Sequence, residues 1–90
     1  MEGVSCIIPC YNEVSRIRNV LEAVKSNSKI NEIIVVDDAS EDGSSEVIRQ
    51  FDGVVYVRLE KNRGKSASVY EGFKISKYDV ILLLDADIKN

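Results

Sequence analysis

The sequence predicts an α/β domain built on a doubly wound parallel sheet. Four apolar, β-branched runs alternate with three segments of helical period, the pattern of parallel strands joined by helical crossovers. The runs are almost continuously apolar rather than alternating, as strands are when helices cover both faces of their sheet. With 90 residues there is room for one core, so residues 1–90 are read as one unit ordered β1-α1-β2-α2-β3-α3-β4.

Each element has its own warrant. Strand β1 is expected over Val4–Pro9, after which Asn12 is a suitable N-cap for a helix whose apolar positions Val14, Ile17, Val20, Leu21 and Val24 make one stripe. Strand β2 is expected over Glu32–Asp37. The turn-rich Ala39-Ser40-Glu41-Asp42-Gly43 then leads to a short helix buried through Val47, Ile48 and Phe51. Strand β3 is expected from Val54 to Leu59, and a polar loop, Glu60–Gly64, brings the chain to the third helix. That helix is expected to pack Ala67, Val69, Tyr70 and Phe73, with Gly72 allowing close approach to the sheet. Strand β4 is expected over Asp79–Leu84.

Composition narrows the function classes. The chain is 44% hydrophobic and 30% charged, and its net charge of −3 comes from mixed acids and bases, without the basic stripe that neutralises phosphate backbones. Nucleic acid is therefore not an expected partner. The longest apolar runs fall far short of the roughly 20 residues of a membrane helix. The amino-terminal residues carry no secretory pattern, so a cytoplasmic location is the default expectation, at the membrane face in a full-length protein. Cys6 and Cys10 lie four apart on one expected strand, with Cα atoms roughly 13 Å apart where a disulfide allows at most about 7 Å.

In a doubly wound sheet a ligand belongs beyond the carboxyl ends of the strands, and the residues there carry chemistry. Asp85 and Asp87 flank Ala86 directly after the buried run Ile81-Leu82-Leu83-Leu84, and two hard carboxylates two residues apart suit Mg²⁺ or Mn²⁺. Asp38 is placed to accept a hydrogen bond from a base or ribose, while Asp37 is read as the cap of the following turn. Tyr11 can stack on a base and Glu13 can reach a ribose hydroxyl; their structural alternatives are a half-buried ring and a first-turn acid favoured by the helix dipole. Gly64-Lys65-Ser66 is not a P-loop, because Leu59 stands where the earlier glycine is required. A phosphoacceptor receiver fold is disfavoured as well, since the acids follow the second and fourth strands.

Taken in order, these residues resemble family-two glycosyltransferases with the GT-A fold, and among them the dolichyl-phosphate or polyprenyl-phosphate sugar transferases. Pro9-Cys10-Tyr11-Asn12-Glu13 is similar to the family's P-x-Y-N-E turn, Val35-Val36-Asp37-Asp38-Ala39-Ser40 to V-V-D-D-G-S, Asn62-Arg63-Gly64-Lys65 to N-x-G-K, and Leu84-Asp85-Ala86-Asp87 to L-D-A-D. The resemblance implies a sheet of order 3-2-1-4 in the donor-binding half of such an enzyme. It implies a nucleoside diphosphate sugar bound by Pro9, Tyr11, Glu13, Val36, Asp38 and the Asp85-Ala86-Asp87 stretch, with Asp85 and Asp87 holding the metal. The acceptor, a lipid phosphate or a glycan, and the catalytic base are expected from the acceptor half of the family's fold, so no catalytic residue is assigned. Ala39 in place of the usual glycine and Lys89 where the lipid-phosphate branch carries a glutamine are departures. A non-catalytic nucleotide-binding or interaction domain is the alternative reading, and a nucleotidyltransferase is disfavoured by the absence of a glycine-rich loop after β1. The edge position implied for β4, whose Val80–Leu84 run has no charge, proline or glycine, also implies a homodimer formed across it.

Overall fold

The computed structural model describes residues 1–86, in which four strands and three helices alternate. The strands are β1 (Val4–Cys10), β2 (Glu32–Asp37), β3 (Val54–Arg58) and β4 (Val80–Leu83), joined by helices α1 (Val14–Lys25), α2 (Ser44–Arg49) and α3 (Lys65–Ile75). All pairings are parallel and the sheet order is β3-β2-β1-β4, as expected. Strand ends differ from the sequence reading by a residue at β1, β3 and β4. Among the described residues no helix is long and apolar enough to cross a membrane.

Two apolar layers sandwich the sheet. On one face Ile17, Leu21 and Val24 of α1 and Ile48 of α2 meet Cys6, Ile8 and Cys10 of β1 and Ile33 and Val35 of β2. On the other, Ile7, Ile34, Val36 and Leu59 form a smaller layer, with Val57 and Ile81 packed at its margin, and α3 lies across it. The alternation of Cβ directions along a strand explains why adjacent residues of one apolar run serve different layers.

Three expectations about the helices need correction. Asn12 is not the N-cap of α1: Glu13 is, and Asn12 sits in the left-handed region at φ 52°. Val14, expected in the buried stripe, is exposed. The largest departure is α3, where Tyr70 and Phe73 are more than half exposed and the fully covered positions are Ser68 and Gly72. The cause is proximity: a Cβ on Gly72 would lie 2.7 Å from Ile7 Cγ2 and 3.2 Å from Val36 Cγ2. The helix is pressed so close to β1 and β2 that only small side chains fit beneath it, and its larger apolar groups turn outward.

Candidate functional site

The carboxyl ends of β1, β2 and β4 and the amino end of α3 enclose one cleft of about 300 Å³. Pro9, Cys10, Tyr11 and Glu13 line it from β1 and its loop, Asp38 from β2, Asn62, Gly64, Lys65 and Ser68 from the start of α3, and Asp85 from the end of β4. The fold thus brings together Pro9, Tyr11, Glu13, Asp38 and Asp85. Val36 is not part of the wall, because its side chain is fully buried beneath α3. Ala86 is likewise buried, in the layer beneath α1 and α2, and Asp87 lies outside the described residues.

The two aspartates at the end of β2 divide their work. Asp37 is wholly buried: it accepts the Ser40 N–H at 2.9 Å, the Tyr56 hydroxyl at 2.7 Å and Arg58 Nη1 at 3.0 Å, so the expected cap is present and carries two further donors. Burial, followed by donation to Asp37, raises the Tyr56 phenol above its usual range. Asp38 does not stand free in solvent beyond its strand. It is 3% exposed, and its two oxygens accept the Arg63 and Gly64 N–H groups, each at 2.8 Å. The carboxylate therefore anchors the loop leading into α3 as well as lining the cleft.

Tyr11 presents a half-exposed ring at the cleft mouth. Glu13 is the N-cap of α1 rather than a residue of its first turn, and its carboxylate is paired with Arg16 Nη1 at 2.7 Å. Cys10, at the cleft floor, is 2% exposed and unpaired by any disulfide. Burial and then the charge of Asp37 push its thiol up to about 11, against contacts from Glu13, Ser44 and Ser40 that lower it. Burial alone holds Cys6 at about 11 as well. Neither is a thiolate at neutral pH.

At the end of β4 the Asp85 carboxylate faces the Lys65 ammonium at the start of α3. Asp85 is a partly exposed carboxylate, a hard oxygen donor of the kind Mg²⁺ or Mn²⁺ takes, and a metal there would share it with or displace the Lys65 ammonium. Among the described residues no group of three or more acids, cysteines or histidines is gathered for such an ion.

Sequence reasoning missed part of this arrangement. Ser40 and Asp42 of the β2–α2 loop and Ser44 at the start of α2 bond to the β1–α1 loop and the first residue of α1: the Asn12 N–H donates to Ser40 Oγ at 2.9 Å, the Glu13 N–H to Ser44 Oγ at 3.1 Å and the Val14 N–H to Asp42 Oδ2 at 3.1 Å. Asn12 Oδ1 returns the contact by accepting the Glu41 N–H at 2.9 Å. Asp42 Oδ1 meanwhile accepts the Ser44 N–H at 3.0 Å and the Ser44 hydroxyl at 2.5 Å. Desolvation raises the Asp42 carboxyl, but the contacts from Ser44 and the Val14 N–H outweigh it and leave the group below its ordinary range. In sequence these are ordinary turn residues, and only their small polar character signals that they bond to backbone.

Residues 5–89 match the model of the family described as glycosyl transferase family 2. The chain belongs to that family. Over 97% of its length it is 37% identical to the poly-β-1,6-N-acetyl-D-glucosamine synthase of Staphylococcus epidermidis, of which it covers 22%. This family-2 chain thus spans about a fifth of that curated relative. Among solved structures it is similar to a mannosyltransferase of Pyrobaculum calidifontis in complex with GDP-Man and Mn²⁺, with a TM-score of 0.86 and 27% identity over 93% of this chain and 27% of the other. It also shares its fold with the glucosyl-3-phosphoglycerate synthase of Mycobacterium tuberculosis in complex with Mn²⁺, UDP and glucosyl-3-phosphoglycerate, at TM-score 0.82 and 20% identity over 96% of this chain and 34% of that one. The doubly wound, partial GT-A fold expected from the motifs is the observed one.

Proposed function

We propose that this family-2 domain binds the nucleoside diphosphate sugar donor of a metal-dependent sugar transfer. The observation that carries the reading is convergence: Pro9, Tyr11, Glu13, Asp38 and Asp85, drawn from three separate strand ends, line one cleft. The exposed Tyr11 ring offers a stacking surface for a base, and Asp38 and Glu13 offer carboxylate oxygens to ribose or base donors. Lys65 supplies a cation for the diphosphate. Asp85, with Asp87, would hold Mg²⁺ or Mn²⁺, and the bound ion would neutralise charge on the departing nucleoside diphosphate. In the transfer an acceptor oxygen bonds to the anomeric carbon as the carbon–phosphate oxygen bond breaks, and the acceptor proton passes to a base that we do not assign to this chain. The acceptor, a lipid phosphate or a glycan, is likewise not read from this cleft.

The reading has a direct test. Calorimetric titration of a nucleoside diphosphate panel should show binding that strengthens at least about tenfold with Mn²⁺, a difference of about 1.4 kcal/mol. Asp85→Ala should abolish most of that metal dependence. Equal affinity in excess chelator would remove the metal from the proposal. A partner reading rests on a different observation: Val80, Leu82 and Leu83 of the edge strand β4 are 56%, 43% and 55% exposed. Two copies pairing antiparallel across that edge would satisfy its unpaired backbone groups and form one continuous sheet with two-fold symmetry.

A further inference from the structure

The β1–α1 loop supplies Tyr11 and Glu13 to the cleft, yet little within that loop fixes it. Asn12 sits at φ 52°, in the left-handed region that asparagine enters more readily than other side-chain-bearing residues, and the Glu13 side chain makes no capping bond to the helix it begins. The groups that hold this stretch come from the β2–α2 loop and the first residue of α2, 28 to 31 residues further along: Ser40 on the Asn12 N–H, Ser44 on the Glu13 N–H and Asp42 on the Val14 N–H. Asp42 is the keystone because its two oxygens face different elements. Oδ2 takes the first N–H of α1, while Oδ1 takes the N–H and hydroxyl of Ser44, the same Ser44 whose oxygen holds Glu13. Asp42 itself does not line the cleft.

We propose that Asp42 is a positioning residue for the donor site: by capping α1 from the neighbouring loop and orienting Ser44, it holds Tyr11 and Glu13 in the arrangement that accepts the nucleoside. The inference rests on the donor-site reading above. Without Asp42 the Val14 N–H loses its acceptor and Ser44 its orientation, and part of the cost of ordering residues 11–13, of the size of one backbone residue, falls on ligand binding. Re-ordering one backbone residue corresponds to a loss of affinity of about five- to thirtyfold.

The test uses the whole chain and the nucleoside diphosphate that binds it best in the panel, at a temperature well below the melting of every variant. Asp42→Ala should raise Kd by about five- to thirtyfold. The ratio of affinities with and without Mn²⁺ should stay at the wild-type value, because the hydrogen bonds of Asp42 go to Val14 and Ser44 and not to Asp85. Asp42→Asn keeps one carbonyl oxygen and can serve only one of the two elements, so its Kd should fall between wild type and the alanine variant; it carries the test if Asp42→Ala does not fold. Asn31→Ala is the control for a lost bond with no positional consequence. It removes the 2.8 Å acceptor of the Val4 N–H at the far end of the sheet and should leave Kd unchanged. Wild-type affinity in both Asp42 variants overturns the inference alone, as does an equal loss in Asn31→Ala. Failure of the wild-type chain to bind any nucleoside diphosphate overturns the donor site and the inference with it.

Discussion

Strands β2 and β4 look alike in sequence and occupy opposite situations. Glu32–Asp37 and Val80–Leu83 are both short and mostly aliphatic, yet every residue of β2 after Glu32 is buried while β4 is largely exposed. The difference is position. Strand β2 is hydrogen-bonded on both sides and covered by helices on both faces, whereas among the described residues β4 pairs only with β1 and lies at an edge. A continuous apolar run therefore reports the environment a strand is suited to, and β4, together with the outward Tyr70 and Phe73 of α3, forms apolar surface that the described residues leave uncovered.

The largest expected effect breaks the two strands apart energetically. Ile34→Ala on β2, where the side chain is fully buried, should cost about 2–5 kcal/mol of unfolding free energy. Leu83→Lys on β4 should cost less than about 1 kcal/mol, since the side chain is already 55% exposed. If β4 is the contact between copies, Leu83→Lys should also abolish concentration-dependent association in sedimentation runs. A melting loss from Leu83→Lys as large as that from Ile34→Ala would mean that β4 is covered in solution.

Much of this was legible because it depends on near neighbours in sequence. Period and apolar content place all four strands and three helices, and the turn residues after β1, β2 and β4 identify where the cleft lies. The parts that were not legible depend on distance through space. Hydrophobicity ranks Tyr70 and Phe73 above Ser68 and Gly72 as core residues, but the closeness of α3 to Ile7 and Val36 selects by size and reverses the order. The partners of Ser40, Asp42 and Ser44 lie 28 to 31 residues earlier, so no local pattern announces them. Val36 shares a motif with Asp38 but points to the other side of the pleat from Asp37 and inward under α3, a distinction set by burial rather than by the motif.

A smaller effect sharpens the contrast between a dry interior and a wet edge. Cys6 and Cys10 on the central strand β1 have thiols held at about 11 in the folded chain, against about 8.5 in an unfolded one. A folded pKa raised above its unfolded value means that the protonated thiol favours the fold. That contribution is complete below about pH 8.5 and is lost as pH rises towards about 11. Melting temperature should therefore decline across this interval, and replacing both cysteines by alanine should flatten the decline. At pH 8, mass spectrometry should find neither thiol alkylated while the chain is folded. Rapid modification of Cys10 alone would show that the cleft floor opens to solvent.

The smallest effect concerns one residue of the hydrogen-bonded region at the carboxyl ends. Ala39 sits at φ 64°, in the left-handed region that a side chain with Cβ enters at a cost of about 1–2 kcal/mol. It is held there by its neighbours: the N–H of Ser40 is fixed on Asp37, and the Ser40 hydroxyl is fixed on Asn12. These bonds over-determine the turn, so the strain persists rather than relaxing. Glycine would adopt the same geometry without the clash, though its unfolded chain has more freedom to lose, a cost of about 0.5–1 kcal/mol. Ala39→Gly should therefore stabilise the domain by a net amount between zero and about 1.5 kcal/mol, read as a higher urea midpoint at unchanged slope. Donor affinity should not fall, because the residue does not line the cleft. A clear loss of stability would mean that the Ala39 methyl packs well enough to outweigh its backbone strain.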